Sequence, residues 1–200
     1  MTRVFEQRRL WRLDETCARR GARLLADAAT EFFGRFSLVI GVGRGGWPPG
    51  AIVGESLHTR SIGVLAKHNR GDDICQPGDG DVHVDLTRLD GISLRGQVLL
   101  VDDICGTGAT LSAIRGALVA RRGIVAVRSA TLCLNEGATA PPDLWVWSVR
   151  DWVVFPWESR PTGPTEPLPV PMTVYLADDF RRRLAPRYEC CESTATSLPE

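Results

Sequence analysis

The fold of this chain is decided by the stretch Val98-Leu-Leu-Val-Asp-Asp-Ile-Cys-Gly-Thr-Gly-Ala-Thr-Leu111. Its apolar beginning predicts a buried strand over Gln97 to Val101, because a short run of Val and Leu is typical of a strand inside a parallel sheet. Two acidic residues, Asp102 and Asp103, follow at the carboxyl end of that strand. A loop of glycine and threonine then leads into a helix predicted near residues 109–121. The stretch therefore predicts a strand-loop-helix unit of an α/β fold.

The chemistry of this unit indicates a phosphorylated sugar as its ligand. Backbone amides in a glycine-rich loop at a helix N-terminus are unpaired donors at the positive end of a dipole, which suits a phosphate. The hydroxyl groups of Thr107 and Thr110 add further donors. The adjacent carboxylates of Asp102 and Asp103 can accept hydrogen bonds from the vicinal hydroxyls of a sugar, or hold a divalent cation.

Strands and helices alternate along the rest of the chain. The other predicted strands are Ser37 to Gly43, Ser61 to Ala66, Ile124 to Leu134, Leu144 to Val149 and Trp152 to Phe155. The other predicted helices are residues 4–36, Ala51 to Leu57 and Val174 to Leu184, with a tight loop over residues 44–50. This alternation predicts a Rossmann-like doubly wound parallel sheet with helices on both faces. Ligands of such sheets bind beyond the carboxyl ends of the strands.

The chain divides into four predicted parts. They are an N-terminal helical segment (1–36), an α/β core (37–150), a small hood with a proline-rich arm (151–184) and a frayed tail (185–200). Within the core, residues 68–96 are rich in glycine and aspartate, and we expect a mobile loop or a hairpin there because ordinary connections are shorter. Residues 159–171 contain five prolines, which predicts an extended arm.

Composition narrows the class of protein. The chain has 200 residues with 24 basic and 24 acidic side chains, so its formal net charge is zero. This balance argues against binding to nucleic acid or to an anionic membrane through bulk charge. No apolar run reaches the roughly 18 residues of a membrane span, and residues 1–9 are polar. We expect a cytoplasmic protein whose six cysteines are free thiols, since none of them has zinc-site spacing.

The segment Asp102 to Thr110 resembles the phosphoribosyl pyrophosphate (PRPP) signature of the type I phosphoribosyltransferases. The resemblance implies the fold of that family, Mg²⁺ as cofactor, and Asp102 and Asp103 as its metal ligands. It also implies PRPP binding by Asp102, Asp103, Ile104, Cys105, Gly106, Thr107, Gly108, Ala109 and Thr110.

A second segment, Val39 to Val53, resembles the pyrophosphate loop of this family, and most closely the version in bacterial xanthine-guanine enzymes. Arg44 would be the cation that faces pyrophosphate, and Gly45 and Gly46 would let backbone amides approach it. The resemblance thus adds Arg44, Gly45 and Gly46 to the PRPP site, with Arg44 joining Asp102 and Asp103 as a catalytic residue. Lys67 and Arg70 are further candidates for reaching pyrophosphate.

A third segment, Asp151-Trp-Val-Val-Phe-Pro-Trp-Glu158, resembles the hood of the 6-oxopurine phosphoribosyltransferases. Trp152 is the candidate for stacking on the base, and the backbone around Val153 would contact the edge of the base. The alternative is that Trp152 or Trp157 belongs to the hydrophobic core.

Two positions depart from the 6-oxopurine pattern. The family has an Asp that faces N7 of the base three residues after the second signature Asp, where this chain has Gly106. The family also has a lysine near the end of the next strand, where this chain has Leu132-Cys-Leu-Asn-Glu136. Asn135 is a candidate base contact there, with Glu136 as an alternative. A 7-deazapurine acceptor would explain the missing Asp, and an adenine or orotate acceptor is compatible with it.

These resemblances imply transfer of the 5-phosphoribosyl group from PRPP to a purine-like base, with release of pyrophosphate. The expected partners are PRPP and a heterocyclic base, with no nucleic acid and no membrane, in a homodimer. One alternative is a non-catalytic regulator that senses PRPP or a nucleotide with the same fold. A flavodoxin-like binding module is a third hypothesis, although it would not need adjacent carboxylates before the phosphate loop.

Overall fold

A computed structural model of the chain describes residues 5–6, 9–67, 82–159 and 163–177. Its main element is a seven-stranded sheet with five parallel strands in the middle: β2 (Leu38–Val42), β3 (Ser61–Lys67), β5 (Gly96–Cys105), β6 (Ile124–Asn135) and β7 (Leu144–Val149). The antiparallel strands β4 (His83–Asp85) and β10 (Tyr175–Leu176) form the edges, in the order β10-β7-β6-β5-β2-β3-β4. The predicted α/β parallel sheet is confirmed.

Helices cover both faces of this sheet, as a doubly wound fold requires. They are α1 (Glu15–Phe33), α2 (Gly43–Ser56) and α3 (Ala109–Val119). Because side chains alternate along a strand, β5 contributes Leu99 and Val101 to the core under α1 and α2. The same strand contributes Val98 and Leu100 to the second core, under α3. Strand β5, whose residues Val98 to Val101 are buried, is thus the centre of the molecule, and it carries the acidic doublet Asp102–Asp103 near its carboxyl end.

A small second sheet forms the hood. Its three strands are β1 (Leu10–Arg12), β8 (Trp152–Val154) and β9 (Glu166–Pro167), all parallel, with β1 in the middle. The backbone of Leu168 also donates to Arg12 at 2.9 Å, so the proline-rich arm is fixed along β1. The hood therefore joins the beginning of the chain to its last described part.

The first helix starts later than the sequence predicts. Residues Leu10 to Arg12 form β1 instead of continuing a helix over 4–36, and α1 begins at Glu15. The physical reason is a helix N-cap at Asp14, whose carboxylate accepts from the backbone of Cys17 at 2.8 Å.

The predicted tight loop over residues 44–50 is wrong, because α2 begins directly at Gly43 and contains Pro48 and Pro49. The helix that contains these prolines packs very closely on the sheet. A Cβ atom on Gly50 would lie 2.9 Å from Cα of Gly41 on β2, so the absence of side chains lets the helix lie directly on the sheet. Tertiary packing overrides the local preference here.

Other boundaries also differ from the sequence prediction. Strand β5 runs on to Cys105, so Asp102 and Asp103 lie inside the strand instead of after it. The predicted helix over Val174 to Leu184 is wrong at its start, because Tyr175 and Leu176 pair with β7, and residues 178–184 lie outside the described residues.

Part of the predicted loop and tail cannot be compared with the structure. Residues 82–96 contain β4, which forms a hairpin with β3, and a short 3-10 helix over Thr87–Leu89. Residues 68–81 with Arg70, the side chain of Lys67 and the tail 185–200 lie outside the described residues. In the described part of the chain, none of the helices combines the length and the apolar character that crossing a membrane requires. The cysteines described there, Cys17, Cys105 and Cys133, are free buried thiols.

Candidate active site

The acidic doublet is held by hydrogen bonds to backbone and to the hood. Asp103 is 9% exposed, and its Oδ1 accepts from the backbone N–H of Ile104 at 2.7 Å. Oδ1 of Asp102 accepts from the backbone N–H of Asp103 at 2.9 Å. The indole Nε1 of Trp157 donates to Oδ2 of Asp103 at 3.3 Å. The two carboxylates therefore have fixed orientations near the carboxyl end of β5.

The environment of the doublet favours an added positive charge. Burial raises the pKa of Asp102 well above its usual range, and the neighbouring carboxylate of Asp103 raises it further. The backbone hydrogen bond from Asp103 opposes this rise but does not cancel it. A cation or a hydrogen-bond donor beside these carboxylates would stabilise their charged forms.

The N-terminus of α2 lies directly against the doublet. A Cβ atom on Gly45 would overlap the carboxylate of Asp103, and one on Gly46 would lie 2.8 Å from Oδ1 of Asp102. Glycine is therefore required at both positions for α2 to approach β5 this closely. Arg44, the residue before them, is on the first turn of the same helix. The structure thus brings the predicted pyrophosphate segment and the predicted sugar-binding doublet together.

The loop between β5 and α3 is built as a tight turn into the helix. Gly108 has a φ of +93°, which favours glycine, and a Cβ atom there would overlap the carbonyl oxygen of Ala140. The carbonyl oxygen of Thr107 accepts from the backbone N–H groups of Thr139 and Ala140, both at 3.2 Å. The hydroxyl of Thr107 accepts from the N–H of Ala109 at 3.3 Å. These contacts fix the first turn of α3 at the same edge of the sheet as the doublet.

Some of the residues that are predicted to bind PRPP pack mainly inside the protein. The side chain of Cys105 is buried, and its thiol donates to the carbonyl oxygen of Ala140 at 3.6 Å. Ile104 packs against the core under α1. Gly106, Ala109 and Thr110 are half-buried at the start of the loop and of α3.

The predicted base-contacting residues are engaged in other packing. Trp152 stacks on Phe5 with ring centroids 6.0 Å apart, and Val153 is buried in the core and pairs with Trp11 of β1. Asn135 is fully buried at the end of β6, where its Oδ1 accepts from the backbone of Gly137 at 3.0 Å. Its position beside the end of β7 keeps it at the carboxyl edge of the sheet.

The structure adds Trp157 to the site. Its ring stacks on Phe155 at a centroid distance of 5.3 Å, and its indole N–H contacts the doublet. Glu158 closes this turn by accepting from the backbone of Phe155 at 3.0 Å. The resemblance of residues 151–158 to a hood indicates that this segment lies near the ligand, but no local pattern indicates that Trp157 contacts Asp103, which is 54 positions earlier.

The doublet is also the candidate ligand set for a cation. Among the described residues, no group of three or more His, Cys, Asp or Glu side chains could hold a metal ion. Mg²⁺ is commonly bound by one or two carboxylates together with the phosphates of a substrate. Asp102 and Asp103 fit a cation that is shared with a phosphorylated ligand.

Comparison with known proteins identifies the family to which this chain belongs. Residues 14–161 match the family described as "Phosphoribosyl transferase domain". This match covers well over half of the chain, so the protein belongs to the phosphoribosyltransferase domain family. The expected type I phosphoribosyltransferase fold and the resemblance to xanthine-guanine enzymes are both confirmed.

Individual relatives agree with this assignment. The xanthine-guanine phosphoribosyltransferase of Gluconobacter oxydans (strain 621H) is 29% identical over 147 residues, which cover 71% of this chain and 80% of that protein. The purine phosphoribosyltransferase of Pyrococcus horikoshii Ot3 superposes with a TM-score of 0.59 at 25% identity, over 77% of this chain and 97% of that one. The xanthine-guanine-hypoxanthine phosphoribosyltransferase of Helicobacter pylori shares the fold, with a TM-score of 0.59 at 18% identity over 74% and 91% of the two chains.

Proposed function

We propose that this protein transfers the 5-phosphoribosyl group of PRPP to a purine base, forming a nucleoside monophosphate and pyrophosphate. The observation that carries the proposal is the contact of Gly45 and Gly46 with Asp102 and Asp103, which joins a helix N-terminus to an acidic doublet in a member of this family. The names of the relatives, which include purine and xanthine-guanine enzymes, support a purine acceptor.

Each part of the site has a role in holding PRPP. The carboxylates of Asp102 and Asp103 accept hydrogen bonds from the ribose hydroxyls. The amides at the start of α3, with the hydroxyls of Thr107 and Thr110, bind the 5-phosphate. Arg44 and the N-terminal amides of α2 bind the pyrophosphate. Mg²⁺, when bound at the doublet, would supply positive charge that compensates the pyrophosphate oxygens.

The reaction separates charge: positive charge develops on the anomeric carbon of the ribose, and negative charge develops on the departing pyrophosphate. The bond between the anomeric carbon and pyrophosphate breaks, that carbon develops oxocarbenium character, and a ring nitrogen of the base forms the new bond. Arg44 stabilises the negative charge on the departing pyrophosphate. The fixed doublet keeps the ribose in position while the base attacks.

The acceptor site is where this chain differs from the 6-oxopurine pattern. Gly106 stands where the 6-oxopurine enzymes have an acid, and the stretch 132–136 contains no lysine. The amide oxygen of Asn135, the candidate base contact in that stretch, accepts from the backbone of Gly137. The chain therefore has neither the acid that would face N7 nor the cation that would face a 6-oxo group at those positions. We therefore propose, more specifically, that the acceptor is a 7-deazapurine, which has carbon in place of N7.

A panel of acceptor bases tests both the transferase activity and the identity of the acceptor. Pyrophosphate release from PRPP and Mg²⁺ is measured with hypoxanthine, guanine, adenine, orotate and carboxylated 7-deazaguanine. Turnover of any purine supports the transferase, and efficient use of ordinary guanine contradicts the 7-deazapurine acceptor. PRPP binding without turnover of any base would instead indicate a non-catalytic sensor, for which the missing acid and lysine are the motivating observation. The homodimer and the cytoplasmic location stay predictions.

A further inference from the structure

A second cleft opens at the amino-terminal edge of the central sheet. It is formed where β5 and β6 begin, and its volume is about 830 Å³, within the range of small-molecule sites. Asp102 lies six residues along β5 from Gly96 of the cleft, or about 20 Å at ~3.3 Å per residue. The cleft is therefore separate from the candidate active site at the opposite edge.

The lining of the cleft is strongly basic. Arg95, Arg121 and Arg122 line it, and no acidic residue among those that the structure describes does. Arg121 pairs with Asp90 at 3.2 Å, whereas within the described residues no ion pair holds Arg95 or Arg122. Because the whole chain has a formal net charge of zero, this cluster is a local excess of positive charge.

The shape of the cleft is fixed by two glycines. Gly96 and Gly123 have φ values of +85° and +98°, and the N–H of Gly96 donates to the carbonyl of Gly123 at 2.9 Å. A Cβ atom on Gly123 would overlap the carbonyl oxygen of Leu94. The arginines therefore extend from a tight, defined turn instead of from a long irregular loop.

An apolar wall completes the cleft. Val125 is 80% exposed at the start of β6, and Ile92 and Leu94 are apolar residues of the lining. An exposed apolar side chain beside a cluster of guanidinium groups suits a ligand that has both a flat or apolar part and several negative charges. Guanidinium groups bind phosphate in a bidentate manner, which makes phosphate the best match for the charged part.

We propose that this cleft binds a ligand that carries several phosphates, either a free polyphosphate or a nucleoside triphosphate. The site is formed by Ile92, Leu94, Arg95, Arg121, Arg122 and Val125.

Calorimetric titration of the full chain with tripolyphosphate and, separately, with ATP tests the proposal. The test variant R95Q/R122Q removes the two guanidinium groups of the cleft for which the described part of the chain supplies no ion-pair partner. The matched control R19Q/R23Q removes the same charge from the exposed side of α1. The variant R44Q reports binding at the candidate active site. Tighter binding of ATP than of tripolyphosphate assigns the site to nucleotides, and equal or weaker binding of ATP assigns it to free polyphosphate.

We expect R95Q/R122Q to weaken one class of tripolyphosphate site about tenfold or more, because it loses charge-assisted contacts. The control and R44Q should change that class by less than about twofold, as exposed charges at a distance do. The single variant V125E, at an exposed position, should weaken the same class. The proposal is overturned if R95Q/R122Q binds like the control, if R44Q alone abolishes all binding, or if V125E has no effect. Because transfer activity is not measured, the result is independent of the proposed function.

Discussion

The indole nitrogen of Trp157 lies 3.3 Å from Oδ2 of Asp103, so the segment after β8 reaches directly to the acidic doublet of β5. The ring of Phe155 stacks on the indole ring of Trp157 and keeps it in place. The second carboxylate of the site is therefore positioned by the hood as well as by its own strand.

Replacing Trp157 with Phe tests this connection. The variant keeps an aromatic ring on Phe155 but removes the N–H donor to Asp103. We expect a loss of about 1 kcal/mol in PRPP binding or kcat/KM, as is typical when a hydrogen bond is removed at a partly exposed site. The measurement is steady-state kinetics with PRPP as the varied substrate.

The matched control for that variant is Trp145→Phe, because the indole of Trp145 donates to Ser148 at 3.0 Å, away from the doublet. Equal kinetics for W157F and wild type would show that the indole does not position Asp103.

The close approach of α2 to β5 predicts that a methyl group at Gly45 is not tolerated. In Gly45→Ala the new Cβ overlaps the carboxylate of Asp103, so the helix or the carboxylate has to move. We expect a destabilisation of about 1–3 kcal/mol, as overpacking of this kind produces, together with a large loss of turnover. Denaturant unfolding and the pyrophosphate assay measure the two effects.

Gly116→Ala is the control within a helix. A Cβ atom at Gly116 meets no other atom within 4 Å, so alanine should stabilise α3 by about 0.5–1 kcal/mol. If both glycine variants behaved alike, the contact between α2 and the doublet would not be the constraint that we infer.

The network around Asp143 predicts a purely structural effect. This carboxylate is 6% exposed and accepts from the backbone and hydroxyl of Ser129 and from Arg115 of α3, at 2.6 to 2.9 Å. Asp143→Ala leaves these donors without their partner, and we expect the free energy of unfolding to fall by about 3–5 kcal/mol. Asp27→Ala on the exposed side of α1 should change it by less than about 0.5 kcal/mol. A fall of similar size in both variants would contradict this role.

Trp152 is the candidate for stacking on the base, and kinetics tests this role. Trp152→Ala should raise KM for the base more than KM for PRPP, by the equivalent of roughly 1–3 kcal/mol of lost stacking. Phe5→Ala removes the ring on which Trp152 stacks and serves as its control. A fall in stability with an unchanged KM for the base would place Trp152 in the packing of the hood only.

Local sequence patterns were sufficient for the five parallel strands of the central sheet, and they singled out the two segments that the structure brings together at the candidate site. The apolar run before Asp102 and the glycines after Val42 are short-range signals. The structure places the apolar run on β5 and the glycines at the start of α2, directly after the neighbouring parallel strand β2. The strand predicted over Trp152 to Phe155 is present as β8, but its place in a small sheet was not predicted, since its partner Leu10 comes from the beginning of the chain, in a segment predicted as helix. The helix through Pro48 and Pro49 depends on packing against β2, which local propensity does not contain.

The most direct test of the central claim is PRPP binding by wild type, Asp103→Asn and the exposed control Asp27→Asn, measured by calorimetry with Mg²⁺ present. We predict that D103N weakens PRPP binding by about 1–3 kcal/mol, as loss of a charged hydrogen bond does, while D27N binds like wild type. If D103N bound PRPP as tightly as D27N, the acidic doublet would not hold the ribose, and the assignment of this site would be wrong.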